Sequence, residues 1–120
     1  MTQDSQSRTL TAEEVDVLRT MIATSSITEG RVLLDDIDGA LVSQRTPWIL
    51  DITTPNTAPG SSLPNGPFPA NAFVPSRLAY QGEILIWIAG GHLSGLEYAW
   101  VTDEPPTRWP RPDEMEVVDR

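Results

Sequence analysis

Glu83-Ile84-Leu85-Ile86-Trp87-Ile88-Ala89-Gly90-Gly91-His92-Leu93-Ser94-Gly95-Leu96-Glu97-Tyr98-Ala99-Trp100-Val101 is the stretch whose reading decides the fold. Residues 83–89 are almost continuously apolar, the pattern of a central strand covered on both faces. Gly90 and Gly91 supply the positive φ angles that a tight turn needs. Beyond them the chain alternates, with Leu96, Tyr98 and Trp100 on one face and Gly95, Glu97 and Ala99 on the other. Two such strands joined by a two-glycine turn make a β-hairpin.

Upstream of the hairpin, residues 40–45 and 48–54 are short runs rich in β-branched and aromatic residues, and they read as strands. Trp48, Leu50 and Ile52 share one face of the second; Pro47 marks an interruption of pairing or an edge. Residues 52–76 carry no charged side chain and hold six of the eleven prolines. The 55–75 part reads as a long loop, either a lid on the core or an extended arm, with Phe68, Phe73 and Val74 to pin it down.

The N-terminal part is helical. Thr11 and Glu14 have the T-x-x-E spacing of a capping box, and Leu10 and Val15 that of a hydrophobic staple. Val15, Leu18, Met21 and Ile22 then form an apolar stripe, which predicts a helix over 12–23. Thr28 to Ile37, with Gly39 just beyond, predicts a shorter one. Residues 1–9 read as a disordered N-terminus, 10–104 as a single domain, and 105–120 as a proline-rich acidic tail in extended conformation. Helices first and strands afterwards predict an α+β fold: one or two N-terminal helices on an antiparallel sheet of about four strands, with the C-terminal hairpin at its centre.

Composition narrows the function classes. A chain of 120 residues can bury a core without staples, and without cysteine it has no disulfide, thiolate ligand or thiolate nucleophile. Seventeen carboxylates against eight arginines and no lysine give a net charge of -9, which disfavours a nucleic-acid partner. No stretch approaches the ~20 apolar residues of a membrane span. The polar MTQDSQSRTL start lacks the pattern of a signal peptide, so the expected compartment is the cytoplasm.

Catalytic and cofactor signatures are not found. His92, the single histidine, sits beside a Gly-Gly turn with no ligand partner nearby in sequence. Asp35, Asp36 and Asp38 resemble half of a calcium loop but lack its glycine and terminal glutamate, and they read as a solvated acidic helix end. Gly91-His92-Leu93-Ser94-Gly95 departs from the G-x-S-x-G nucleophile elbow, and a strand rather than a helix follows it. No phosphate-binding glycine motif is present. The expectation is therefore no catalytic residue, no metal and no cofactor.

Candidate binding residues remain. Glu97 lies between the small residues Gly95 and Ala99, a dip that suits a ligand or an arginine, with Arg77 as its natural partner. Trp48 and Trp87 read as core residues, whereas Trp100 and Trp109 are candidate interface anchors.

Gly91-His92-Leu93-Ser94-Gly95-Leu96-Glu97-Tyr98, followed by Asp103-Glu104-Pro105-Pro106 and Trp109-Pro110, resembles the C-terminal half of a family of small bacterial proteins. Those proteins, many of them actinobacterial, share a G-x-LS-x-LE hairpin and an acidic, proline-rich tail. Many carry a Cys-Gly-Cys cluster in the middle strands, where this chain has Arg45-Thr46-Pro47-Trp48, so no cysteine-based role transfers. The resemblance implies the hairpin and no particular activity.

Three functional readings are compatible with these residues. The first is a cytoplasmic interaction module, for instance an immunity- or antitoxin-like protein with a basic protein partner. The second is a small-molecule binder or enzyme using Glu97 and Arg77 under the 55–75 loop. The third is an accessory subunit of a larger assembly. The sequence leaves the oligomeric state open.

Overall fold

The computed structural model describes residues 7–75 and 80–119. It is α+β, with two α-helices packed on one antiparallel sheet, but that sheet has eight strands rather than about four. The strands are β1 (Arg8–Thr9), β2 (Leu41–Thr46), β3 (Ile49–Thr53), β4 (Gly66–Pro67), β5 (Ala70–Val74), β6 (Gly82–Ala89), β7 (His92–Trp100) and β8 (Glu116–Asp119). They lie in the order β1-β2-β3-β7-β6-β5-β8, with β4 also pairing β6.

The hairpin forms as its sequence predicts. Ile86 pairs with Leu96, and Gly90 and Gly91 take φ of 60° and 81° in the turn. The two-residue turn with positive φ at both positions matches the right-handed twist of the strands it joins. The register slips between Trp87 and Ile88, so Trp87 faces Gly95 while Ile88 faces Leu93. Pro47 occupies the turn between β2 and β3, where no ladder donor is required of it.

The extra strands come from segments whose prolines hide them. The uncharged stretch is neither arm nor plain loop: Phe68 is fully buried and 70–74 is strand β5. The tail is not an appendage. A 3-10 turn at Pro112–Glu114 leads into β8, which pairs along β5 from Phe73↔Glu116 to Ala70↔Asp119. Of the segment expected to be disordered, Arg8 and Thr9 form β1 against Val42 and Leu41, and residues 1–6 lie outside the described residues.

Helix α1 (Ala12–Thr24) begins on the expected capping box. The Glu14 amide donates to the Thr11 hydroxyl (3.2 Å), and the Thr11 amide donates to the Glu14 carboxylate (2.9 Å). Its buried stripe is Val17, Leu18, Met21 and Ile22, with Val15 only partly covered. Burying each of these side chains contributes about 1.5–3 kcal/mol. Glu14 is also buried and receives a bidentate pair from Arg8 at 2.9 and 2.8 Å. Burial raises the Glu14 pKa, but the Arg8 and Thr11 hydrogen bonds outweigh it and the net shift is downward. A 3-10 turn (Thr28–Leu33) runs into α2 (Leu34–Ile37), completing the helical layer.

The helices cover one face of the sheet, and the core lies there. Val42, Leu50, Ile52, Ile84, Ile86, Ile88, Leu93 and Leu96 meet α1 and Leu33. The smallest dimension of the molecule is 22 Å, which is one sheet and one helical layer at ~10 Å each. Strand β6 is therefore covered on one face only, contrary to the reading of its apolar run. Ile84, Ile86 and Ile88 are buried, while Leu85 is partly exposed and Trp87 is 36% exposed.

Candidate functional site

The uncovered face follows from strand alternation and register. One row across it is Asp51, Gly95 and Trp87; the next is Ile49, Glu97 and Leu85. A third runs Ala99, Glu83, Phe73 and Glu116. An exposed antiparallel face is ordinarily polar, yet here Ile49, Leu85, Phe73 and Trp87 stand among the carboxylates of Asp51, Glu83, Glu97 and Glu116.

Glu97 sits at the centre of this face. The Trp87 indole N–H donates to its carboxylate across the hairpin (3.2 Å). Gly95 has a reason to be glycine: a Cβ there would lie 3.3 Å from Trp87 Cβ and 3.1 Å from the Leu50 carbonyl oxygen. The missing side chain leaves a concavity of about 350 Å³ that includes Trp87, Gly95, Glu97, Asp51 and Arg45 in its lining. Arg45 reaches Asp51 at 3.1 Å and is the one arginine among the described residues that line this concavity. No residue of 55–75 lines it. That segment instead binds the hairpin tip, where the Ser61 amide donates to the Gly91 carbonyl and the Gly90 amide donates to Asn65. Arg77, the expected partner of Glu97, lies outside the described residues.

Glu83 anchors the neighbouring row. Asn71 donates to one of its oxygens (2.6 Å) and the Tyr80 hydroxyl to the other (3.2 Å). Burial and the Glu83 charge together push the Tyr80 phenol above its usual pKa.

The tryptophans sort differently from their sequence reading. Trp87 is a surface residue rather than a core one, and Trp100 is 37% exposed at the end of β7. Trp109 is buried at 6% exposure, edge-on to Trp48 (5.4 Å between ring centroids) and tilted against Tyr98 (5.9 Å). It fastens the tail to the helix-covered side.

Sequence reasoning missed a second cluster. Asp36 is fully buried, not solvated. It accepts from the Asn56 side chain (2.9 Å) and the Leu93 amide (3.0 Å), and His92 Nδ1 lies 2.9 Å away. His92 thus has a partner after all, and one carboxylate ties α2, the proline-rich segment and the hairpin together. Among the described residues, no group of three or more His, Asp or Glu side chains is placed to hold a metal ion, and no helix is long and apolar enough to cross a membrane.

Compared with protein-family models, curated proteins and solved structures, the chain shows no match.

Proposed function

We propose that the protein is an interaction module whose uncovered sheet face receives a basic protein partner, in the manner of an immunity protein or antitoxin. The supporting observation is that face: Ile49, Leu85, Phe73 and partly exposed Trp87 interleaved with four carboxylates. A contiguous apolar patch rimmed by polar residues is the kind of surface that marks a protein interaction site. An aromatic anchor ringed by charge is the arrangement of an interface hot spot. The carboxylates select the sign of the partner and accelerate its approach, and the net charge of -9 extends that field over the whole molecule.

The test is affinity purification from the native lysate, with wild type and the double variant Trp87→Ala/Glu97→Arg as baits. A basic protein held by wild type and depleted at least tenfold by the variant fits the proposal. Identical recoveries on the two baits would overturn it.

The concavity at Gly95 supports a second reading, in which a small ligand sits between Trp87 and Asp51 without the 55–75 segment as its lid. A small-molecule screen read by Trp87 fluorescence separates the two. The third reading, an accessory subunit, uses the same face, and light scattering on the assembly purified under native conditions would show it.

A further inference from the structure

The chain contains three asparagines, Asn56, Asn65 and Asn71, and their surroundings set one of them apart. Asn71 is buried in β5 and donates to Glu83 (2.6 Å). Asn56 is half-buried, donates to Asp36 (2.9 Å), and is followed by Thr57, whose branched side chain crowds its own amide. Asn65 is exposed and is followed by Gly66, whose amide no side chain shields. A Cβ at Gly66 would meet nothing within 4 Å, so the space beside this amide is open. We propose that Asn65–Gly66 is a self-modification site, at which the folded protein converts its own asparagine to an isoaspartyl or aspartyl residue with water as the co-reactant.

The chemistry needs an electrophilic carbon, an unshielded nitrogen and an exit for ammonia. The Asn65 side-chain oxygen accepts from the Gly90 amide at 2.8 Å. That N–H polarises the carbonyl and stabilises the negative charge that develops on the oxygen when the carbon is attacked. The Gly66 amide gives up its proton to hydroxide, and its nitrogen bonds to Asn65 Cγ. The bond from Cγ to Nδ2 then breaks, and that nitrogen takes up a proton and leaves as ammonia into the solvent that Asn65 faces. The cyclic imide left behind adds one water. Cleavage between the ring nitrogen and Cγ gives the aspartyl product; cleavage at the main-chain carbonyl gives the isoaspartyl one, in which the chain runs through Cγ. One water enters and one ammonia leaves, and no oxidation state changes.

Strand β4 sets the pace. The Phe68 amide donates to the Ile86 carbonyl (2.7 Å), so Gly66 opposite Ile88, two residues along, stands in hydrogen-bonded register as well. The Gly66 nitrogen must leave that register to reach Cγ. β4 is Gly66–Pro67 alone, and Pro67 has no N–H to add, so this strand opens locally at little cost. The isoaspartyl product places one extra main-chain carbon between the Gly90 contact and the Gly66–Ile88 pair, and the two no longer fit the same spacing. Phe68, fully buried against Gly30, follows directly, so the modification loosens a core anchor in one direction only.

The full chain is incubated for several weeks in mildly alkaline buffer at physiological temperature, beside a sample held unfolded in guanidinium chloride. Peptide mass spectrometry locates the exchange of amide for acid, and labelling by an isoaspartyl methyltransferase counts the isoaspartyl product. In the folded chain the expectation is conversion of Asn65 at least tenfold faster than of Asn56 or Asn71, with ammonia released in equal amount and a rate that rises with pH. The unfolded sample converts Asn65 faster still, by the factor that closure of β4 withholds. Asn65→Gln keeps Gly66 but has to close a larger ring, and it stops the conversion. Gly66→Ala slows it at least tenfold, with the melting temperature recorded alongside because φ at Gly66 is 127°. A folded chain that stays unmodified while the unfolded one converts, equal rates at the three asparagines of the folded chain, or undiminished conversion in Gly66→Ala would each overturn the proposal.

Discussion

The two faces of one strand behave as two different proteins. On β6, Ile84, Ile86 and Ile88 are buried in the core, whereas Leu85 and Trp87, from the same unbroken apolar run, look outward. Buried apolar surface beneath a helix is spent on stability; the same chemistry left in water is available for association. The contrast teaches that hydrophobicity at a position does not say what it packs against, and that the helical layer covers only one face of this strand.

The strongest way to break this contrast is to truncate both faces equally. Ile86→Ala on the covered face is expected to cost about 2–5 kcal/mol, and Leu85→Ala on the open face below about 1 kcal/mol, both read by urea denaturation. Similar costs would mean that the open face is covered in the isolated chain. Next in size is Asp36→Ala, which strands the buried Leu93 amide and releases Asn56 and His92. The expected loss is about 1–3 kcal/mol, with faster amide exchange at the hairpin tip.

A smaller effect concerns the strap that holds the tail on the covered side. Arg108 and the Arg111 amide lower the Glu114 pKa from 4.5 to about 2. The folded value lies below the unfolded one, so the stabilisation is complete above about 4.5 and is lost as pH falls towards 2. Because the pair is partly exposed, its worth is below about 1 kcal/mol. A pH series of melting temperatures should fall less steeply below pH 4.5 in Glu114→Gln than in wild type. Smallest of all, Glu97→Gln is expected to leave stability within about 0.5 kcal/mol while altering Trp87 emission, since the indole loses a charged acceptor.

These differences also explain what could be read in advance. The Thr11–Glu14 capping box and the Gly90–Gly91 turn are local: each is decided within a few residues and is where its spacing placed it, and the α1 stripe differs only in burying Val17 more fully than Val15. The alternation of Leu96 and Tyr98 against Gly95 and Glu97 likewise set the two sides of β7. Asp36 was illegible because its partners lie at 56, 92 and 93, and nothing in an Asp-Asp-Ile-Asp run marks one carboxylate as buried. Strands β5 and β8 were illegible because flanking prolines announce turns and tails, while pairing partners decide whether a short apolar run becomes a strand. Trp87 was misread for the same reason as the whole of β6: an apolar run is the same string whether one face of its strand is covered or both.

The strand order carries a kinetic consequence. β3 and β7 lie side by side, yet all of β4, β5 and β6 intervene between them along the chain. A hairpin such as β6–β7 closes in about 1–10 μs, but zipping β3 onto it requires the ordering of a large loop, which slows folding towards the millisecond-to-second range of non-local sheets. During that interval Ile84, Ile86 and Ile88 are as bare as Leu85 and Trp87, and the nascent hairpin is sticky on both sides. The seventeen carboxylates of the chain then act as mutual repulsion between molecules whose core strands are still uncovered.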